Sequence, residues 1–234
     1  MVDRPPRRAV QAAPAMRFDL VIFDLDGTLV HSLPDITAAL NTGLAEQGRP
    51  ALPEAEVKTL VGEGVVRLAQ KALGVTGQGA ARPSEVQRLA DRVRDIYRQR
   101  PCVASRPFPQ VVETLGALAS DGRRLAVLTN KPGEVTRPLL DALHLTQYFD
   151  AIIGDGDGHP RKPDPAAARA LIARFGTTAA CTLIVGDGLP DVAVGRAVPC
   201  AVAAALWGYT SEEVLRGERA EFVLGSPGEL LGIV

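Results

Sequence analysis

Leu20-Val21-Ile22-Phe23-Asp24-Leu25-Asp26-Gly27-Thr28-Leu29 runs from an unbroken apolar stretch into two carboxylates spaced two residues apart, where the chain must turn. A short continuous apolar run bounded by turn residues is the pattern of a strand buried on both faces of a parallel sheet. Residues i and i+2 of an extended segment point to the same side, so Asp24 and Asp26 face alike. Two desolvated carboxylates that close repel, and one is forced to hold its proton unless a cation lies beside them. A hard dication with oxygen ligands meets that need, and Mg²⁺ suits phosphate-bearing substrates. Gly27 lets the backbone bend close to a ligand, and Thr28 adds a hydroxyl and an amide. The competing reading makes Asp24 and Asp26 ordinary turn and helix-cap residues.

Further apolar runs recur at 125–128, 151–153, 182–185 and 201–205. Between them, 111–118, 135–143 and 165–175 carry helix-like patterns, the last opening on a proline suited to a first helical turn. Strands alternating with helices predict a doubly wound α/β core, a parallel sheet covered on both faces. From about residue 33 to 105 the rhythm breaks: amphipathic patterns at 34–46, 65–73 and 84–100 predict a small helical bundle inserted after the first strand. Residues 74–79 and 106–109 read as turn and hinge punctuation.

The chain of 234 residues is long enough for one large domain with a smaller one inserted. Its net charge of −1 gives no sign of a nucleic-acid or anionic-membrane partner. Cys102, Cys181 and Cys200 form an odd, widely spaced set without a CxxC pair, which fits a reducing compartment better than a disulfide framework. No apolar stretch is long enough to cross a bilayer, and the expected location is the cytoplasm. Residues 1–15, rich in Pro, Arg and Ala, read as a flexible extension.

Polar groups follow the other predicted strands too: Thr129-Asn130-Lys131, then Lys162-Pro163-Asp164-Pro165, then Gly186-Asp187 through Asp191. In open parallel sheets, ligands bind outside the carboxyl ends of the strands, so these segments can converge beside Asp24. Their chemistry matches phosphoryl transfer, which consists mostly of positioning and charge neutralisation. A carboxylate attacks phosphorus, hydroxyl and amide groups hold the phosphate oxygens, a cation offsets their charge and further carboxylates fix a metal. Of the four lysines, Lys131 and Lys162 fall in these segments. Taken singly, Thr129 also reads as a helix cap, Lys162 as a surface lysine and Asp187 as a turn residue.

In these four segments, Asp24-Leu25-Asp26-Gly27-Thr28, Leu128-Thr129-Asn130, Lys162-Pro163 and Gly186-Asp187 through Asp191, the chain closely resembles the haloacid dehalogenase superfamily of phosphohydrolases. Within it, Val61-Gly62-Glu63-Gly64, Gly154-Asp155-Gly156, Arg161 to Pro165 and Trp207-Gly208-Tyr209 are most similar to the phosphoglycolate phosphatase group. The resemblance implies a Rossmann-like core over residues 16–32 and 106–234, a helical cap domain over 33–105, Mg²⁺ and a covalent aspartyl-phosphate. It implies that Asp24 is nucleophile and metal ligand, and that Asp26 is the acid and base and lends its backbone carbonyl to the metal. By the same resemblance Thr129, Asn130 and Lys162 hold the transferring phosphate, Asp187 completes the metal site and Asp191 supports it.

Two positions depart from the superfamily's usual pattern, His31 after the first motif and Gly188 in the fourth. His31 is open to a packing role or a pH-sensitive one. A cap that closes over the cleft implies a small phosphorylated metabolite as substrate, and the expected state of the protein is a monomer or homodimer. Arg67 is a candidate for a substrate carboxylate but reads first as an ordinary helix-surface arginine, while Trp207 and Tyr209 read mainly as packing residues. The alternatives are a phosphomutase or pyrophosphatase of the same fold and, from another class, a phospho-aspartate receiver module.

Overall fold

The central strand β1 (Leu20–Phe23) is completely buried, and it alternates its side chains between two cores. Val21 and Phe23 pack on one side of the sheet, Leu20 and Ile22 on the other. The structure, a computed structural model, describes residues 18–77 and 80–234. The expected extension at 1–15, and the last two residues of the glycine-rich turn, lie outside the described residues.

A two-residue strand β2 (Val30–His31) follows, then four helices, α1 (Leu33–Glu46), α2 (Glu54–Lys58), α3 (Val65–Thr76) and α4 (Pro83–Gln99). The chain returns through β3 (Arg106–Pro107), which pairs antiparallel with β2. Thereafter helix and strand alternate: α5 (Val111–Ser120), β4 (Arg124–Pro132), α6 (Gly133–Ala142), β5 (Ala151–Asp155), α7 (Ala166–Arg174) and β6 (Thr182–Gly186). The series ends with α8 (Leu189–Ala197), β7 (Ala201–Ala205), α9 (Glu212–Gly217) and β8 (Phe222–Leu224). The large sheet has six strands, all paired in parallel, in the order β5-β4-β1-β6-β7-β8.

Leu115 and Leu118 of α5 and Leu139 and Leu140 of α6 cover one face; Ala167 and Leu171 of α7 and Val194 of α8 cover the other. This is the doubly wound α/β architecture expected from alternating apolar runs and helices. The helices α1, α3 and α4 bury a separate cluster around Leu40, Leu44, Leu73 and Leu89, which Val135 of α6 joins.

Two details differ from the sequence reading. The edge strand β8 is three residues long and too short to show a period, and 106–107, read as hinge punctuation, forms β3. The pairing of β2 with β3 brings the two chain passages between sheet and helices side by side. Asp35 of α1 strengthens that junction by accepting hydrogen bonds from the amides of Val103, Ala104 and Ser105 at 3.0, 2.9 and 2.9 Å and from the Ser105 hydroxyl at 2.6 Å.

Candidate active site

All the parallel strands point the same way, so the chain leaves β1, β4, β5 and β6 on one edge of the sheet. Asp24 follows β1, Thr129, Asn130 and Lys131 close β4, Lys162 lies between β5 and α7, and Asp187 follows β6. The sheet thus assembles residues from four remote stretches.

Carboxylate oxygens of Asp24, Asp187 and Asp191 lie within 4.8 Å of one another. Lys162 Nζ sits among them, 2.9 Å from Asp24 Oδ1 and 2.6 Å from Asp191 Oδ1. Thr28 Oγ1 donates to Asp187 Oδ1 at 2.7 Å, and the Tyr209 amide donates to Asp187 Oδ2 at 2.7 Å. The Gly188 amide donates to Asp191 Oδ2 at 3.1 Å, so the glycine that departs from the family pattern still anchors a site carboxylate. Gly27 has φ +90, and a Cβ there, or at Gly208, would collide with the Asp187 carboxylate.

Asp26 stands apart from this cluster. Its Oδ1 accepts from Ser32 Oγ at 2.5 Å, and Lys131 Nζ lies 3.1 and 3.2 Å from its two oxygens. Lys131 Nζ also lies 4.3 Å from the centre of the Tyr97 ring. The Asn130 amide nitrogen donates to the carbonyls of Gly62 and Lys162, both at 3.0 Å, tying the end of β4 to the helical insert and to the lysine segment. Its Oδ1 is buried without a hydrogen-bond partner among the described residues. Thr129 Oγ1 accepts from the Lys131 amide at 3.2 Å.

Burial pushes the Asp187 carboxyl up to about 7, with the Asp24 charge adding to it and the Tyr209 amide and Thr28 hydroxyl opposing. Burial likewise pushes Asp191 to about 6, against the pull of Lys162. Burial disfavours the Lys162 charge, but Asp191 and Asp24 outweigh it and hold the ammonium charged well above its ordinary range. Three carboxylates around one ammonium leave an excess of two negative charges. An all-oxygen cluster with that deficit fits a hard divalent cation.

Asp24, Asp26, Thr129, Asn130 and Lys131 line one cavity of about 60 Å³ under the helical insert. Arg67 is not on it: its side chain is exposed and bonded to Glu63 and Gln70. Arg94 and Tyr97 of α4 line the cavity instead, a contribution that no motif announced. His31 packs in an aromatic cluster, 5.6 Å from the Phe108 ring and 6.1 Å from the Tyr209 ring. Tyr209 does more than pack, because its hydroxyl also accepts from the amides of Ser32 and Leu33 at 2.9 and 3.0 Å. Trp207 Nε1 donates to the Thr28 carbonyl at 2.9 Å.

Residues 18–198 match the family model described as haloacid dehalogenase-like hydrolase, and the chain belongs to that family. It is 42% identical over 197 residues to a phosphoglycolate phosphatase of Rhodospirillum rubrum, covering 83% of this chain and 82% of the relative. A phosphoglycolate phosphatase of Haemophilus influenzae is 35% identical, with 93% of this chain and 99% of that one covered. A crystal structure from Haemophilus somnus, described as a predicted phosphoglycolate phosphatase, superposes with a TM-score of 0.87 at 32% identity, covering 92% of this chain and 97% of that one. Among the described residues, no helix is long and apolar enough to cross a membrane.

Proposed function

We propose that this phosphoric monoester hydrolase is a Mg²⁺-dependent phosphatase that cleaves 2-phosphoglycolate through a phosphorylated Asp24. The observation that carries the reading is that both carboxylates of the first motif, Asp24 and Asp26, line the same small cavity as Thr129 and Asn130. The names of the relatives favour the same substrate.

In this reading a carboxylate oxygen of Asp24 attacks phosphorus as the ester P–O bond breaks, and Asp26 delivers its proton to the departing oxygen. Asp26, now a carboxylate, takes a proton from the water that attacks the phospho-enzyme. The bond from phosphorus to Asp24 breaks, and inorganic phosphate leaves. Lys162 holds Asp24 in place and offsets charge on the transferring group, while Thr129 and Asn130 position its oxygens. Asp24, Asp187 and the Asp26 backbone carbonyl would hold the Mg²⁺, with Asp191 fixing Lys162 beside them. When bound, the ion neutralises phosphate charge that this acidic cluster would otherwise repel.

Residues 33–105 act here as a cap over a core formed by 16–32 and 106–234. The buried aliphatic cluster shared by α1, α3 and α4 supports that division. A cavity of only about 60 Å³ favours a ligand of few atoms over a polymer. The test is phosphate release from a panel of small phosphate esters including 2-phosphoglycolate, with and without Mg²⁺, for the parent and Asp24→Asn. Metal-dependent release by the parent and background release by the variant are expected. Equal rates in the two proteins would refute the assignment.

A further inference from the structure

Within the proposed phosphatase, on which this inference rests, the geometry points to Arg94 as the receptor for the substrate's carboxylate. The cavity takes its lining from both the sheet edge and the helical insert. Asp24 and Asp26 come from the sheet edge, where the phosphate is handled. From the insert, α4 presents Arg94 and Tyr97. These two residues are three apart on the helix, so their side chains are neighbours on one face. Lys131 Nζ, 4.3 Å from the Tyr97 ring centre, is itself held by Asp26 at 3.1 Å and leaves Arg94 as the cation of the lining with donors to spare.

Arg94 is built to stay there. Its side chain is only 21% exposed, and Nη1 is pinned to Asp91 Oδ1 at 2.8 Å. Among the described residues this is the hydrogen bond its guanidinium makes, which leaves the rest of the donor fork for an incoming ligand. Arg67, exposed and engaged by Glu63 and Gln70, offers no such approach to the cavity. Much of the remaining wall is aliphatic, formed by Ile36, Val65, Leu68 and Val135. An apolar wall has few partners for the hydroxyl groups of a sugar, and it strengthens the pull of a cation on a carboxylate. A substrate with a phosphate for Asp24 and a carboxylate a few bonds away for Arg94 matches this lining.

The test compares 2-phosphoglycolate with ethyl phosphate, in which a methyl group replaces the carboxylate. The parent should favour 2-phosphoglycolate in kcat/KM. Arg94→Gln should reduce that preference about 10- to 100-fold, the range of a charge-assisted hydrogen bond, mainly through a higher KM. Arg94→Lys should restore part of it. An unchanged preference in Arg94→Gln, or equal losses on both esters, would overturn the role of Arg94 and leave the phosphatase reading intact. A parent without preference between the two esters would overturn the substrate assignment itself, and this inference with it.

Discussion

Lys162 Nζ lies 2.9 Å from Oδ1 of Asp24, so a lysine from the connection after β5 neutralises the carboxylate that follows β1. The same ammonium reaches Asp191 at 2.6 Å, and its side chain is only 2% exposed. Lys162→Met would leave both carboxylates facing Asp187 without their cation. Breaking a buried pair from one side costs about 3–5 kcal/mol. Urea unfolding in the presence of a chelator should show a loss of that order, together with loss of phosphate release. A variant as stable as the parent would show that Lys162 does not compensate the cluster.

The raised carboxyls make the metal-free protein sensitive to pH in a defined direction. Asp187 and Asp191 stand at about 7 and about 6 in the folded chain, against 3.8 ordinarily. A carboxyl raised on folding contributes stability that is fully present below its unfolded value and lost as pH rises through its folded value. Asp187→Asn, which carries no charge to desolvate, should therefore gain stability relative to the metal-free parent between pH 5 and 8. Mg²⁺ bound as proposed would compete with the proton for the same oxygens, so any rise in the parent's Tm on adding Mg²⁺ should shrink from pH 8 to pH 5.5. A Mg²⁺ effect independent of pH would contradict this account.

Gly208 gives Asp187 its place. A Cβ at this position would collide with the carboxylate, which the neighbouring Tyr209 amide holds at 2.7 Å. Gly208→Ala should fold but bind metal about 10- to 100-fold more weakly, the usual cost of disturbing groups that orient a ligand. The Mg²⁺ concentration giving half-maximal phosphate release is the measurement. An unaltered midpoint would mean that Asp187 adjusts freely.

Asp35 titrates in the opposite sense. Burial raises its carboxyl, but the Ser105 hydroxyl and the amides of residues 103–105 outweigh it and hold it below the ordinary value. Its contribution to stability is present above about pH 4, the ordinary carboxylate value, and is lost on acidification. Asp35→Ala should cost about 1–3 kcal/mol at neutral pH, because buried amide donors lose their acceptor. Urea titration measures it, and the parent's advantage should narrow as pH falls below 4.

Sequence determined β1 and β4 to β7 and the list of polar residues at their ends, but not the short β2, β3 and β8. Runs such as Leu20–Phe23 and residues 183–185 are continuously apolar because both sheet faces are buried, and that pattern is visible without coordinates. Asp24, Lys162 and Asp187 were legible for the same reason, since the carboxyl edge of a parallel sheet is where such groups gather. Only the tertiary structure decided that Lys131 turns to Asp26 while Lys162 turns to Asp24, and that Arg94, not Arg67, reaches the cavity. The first two choices depend on how the strand ends meet at the sheet edge, and the third on which face α4 turns to the cavity. Such packing joins residues remote in sequence, so local pattern carries no trace of it.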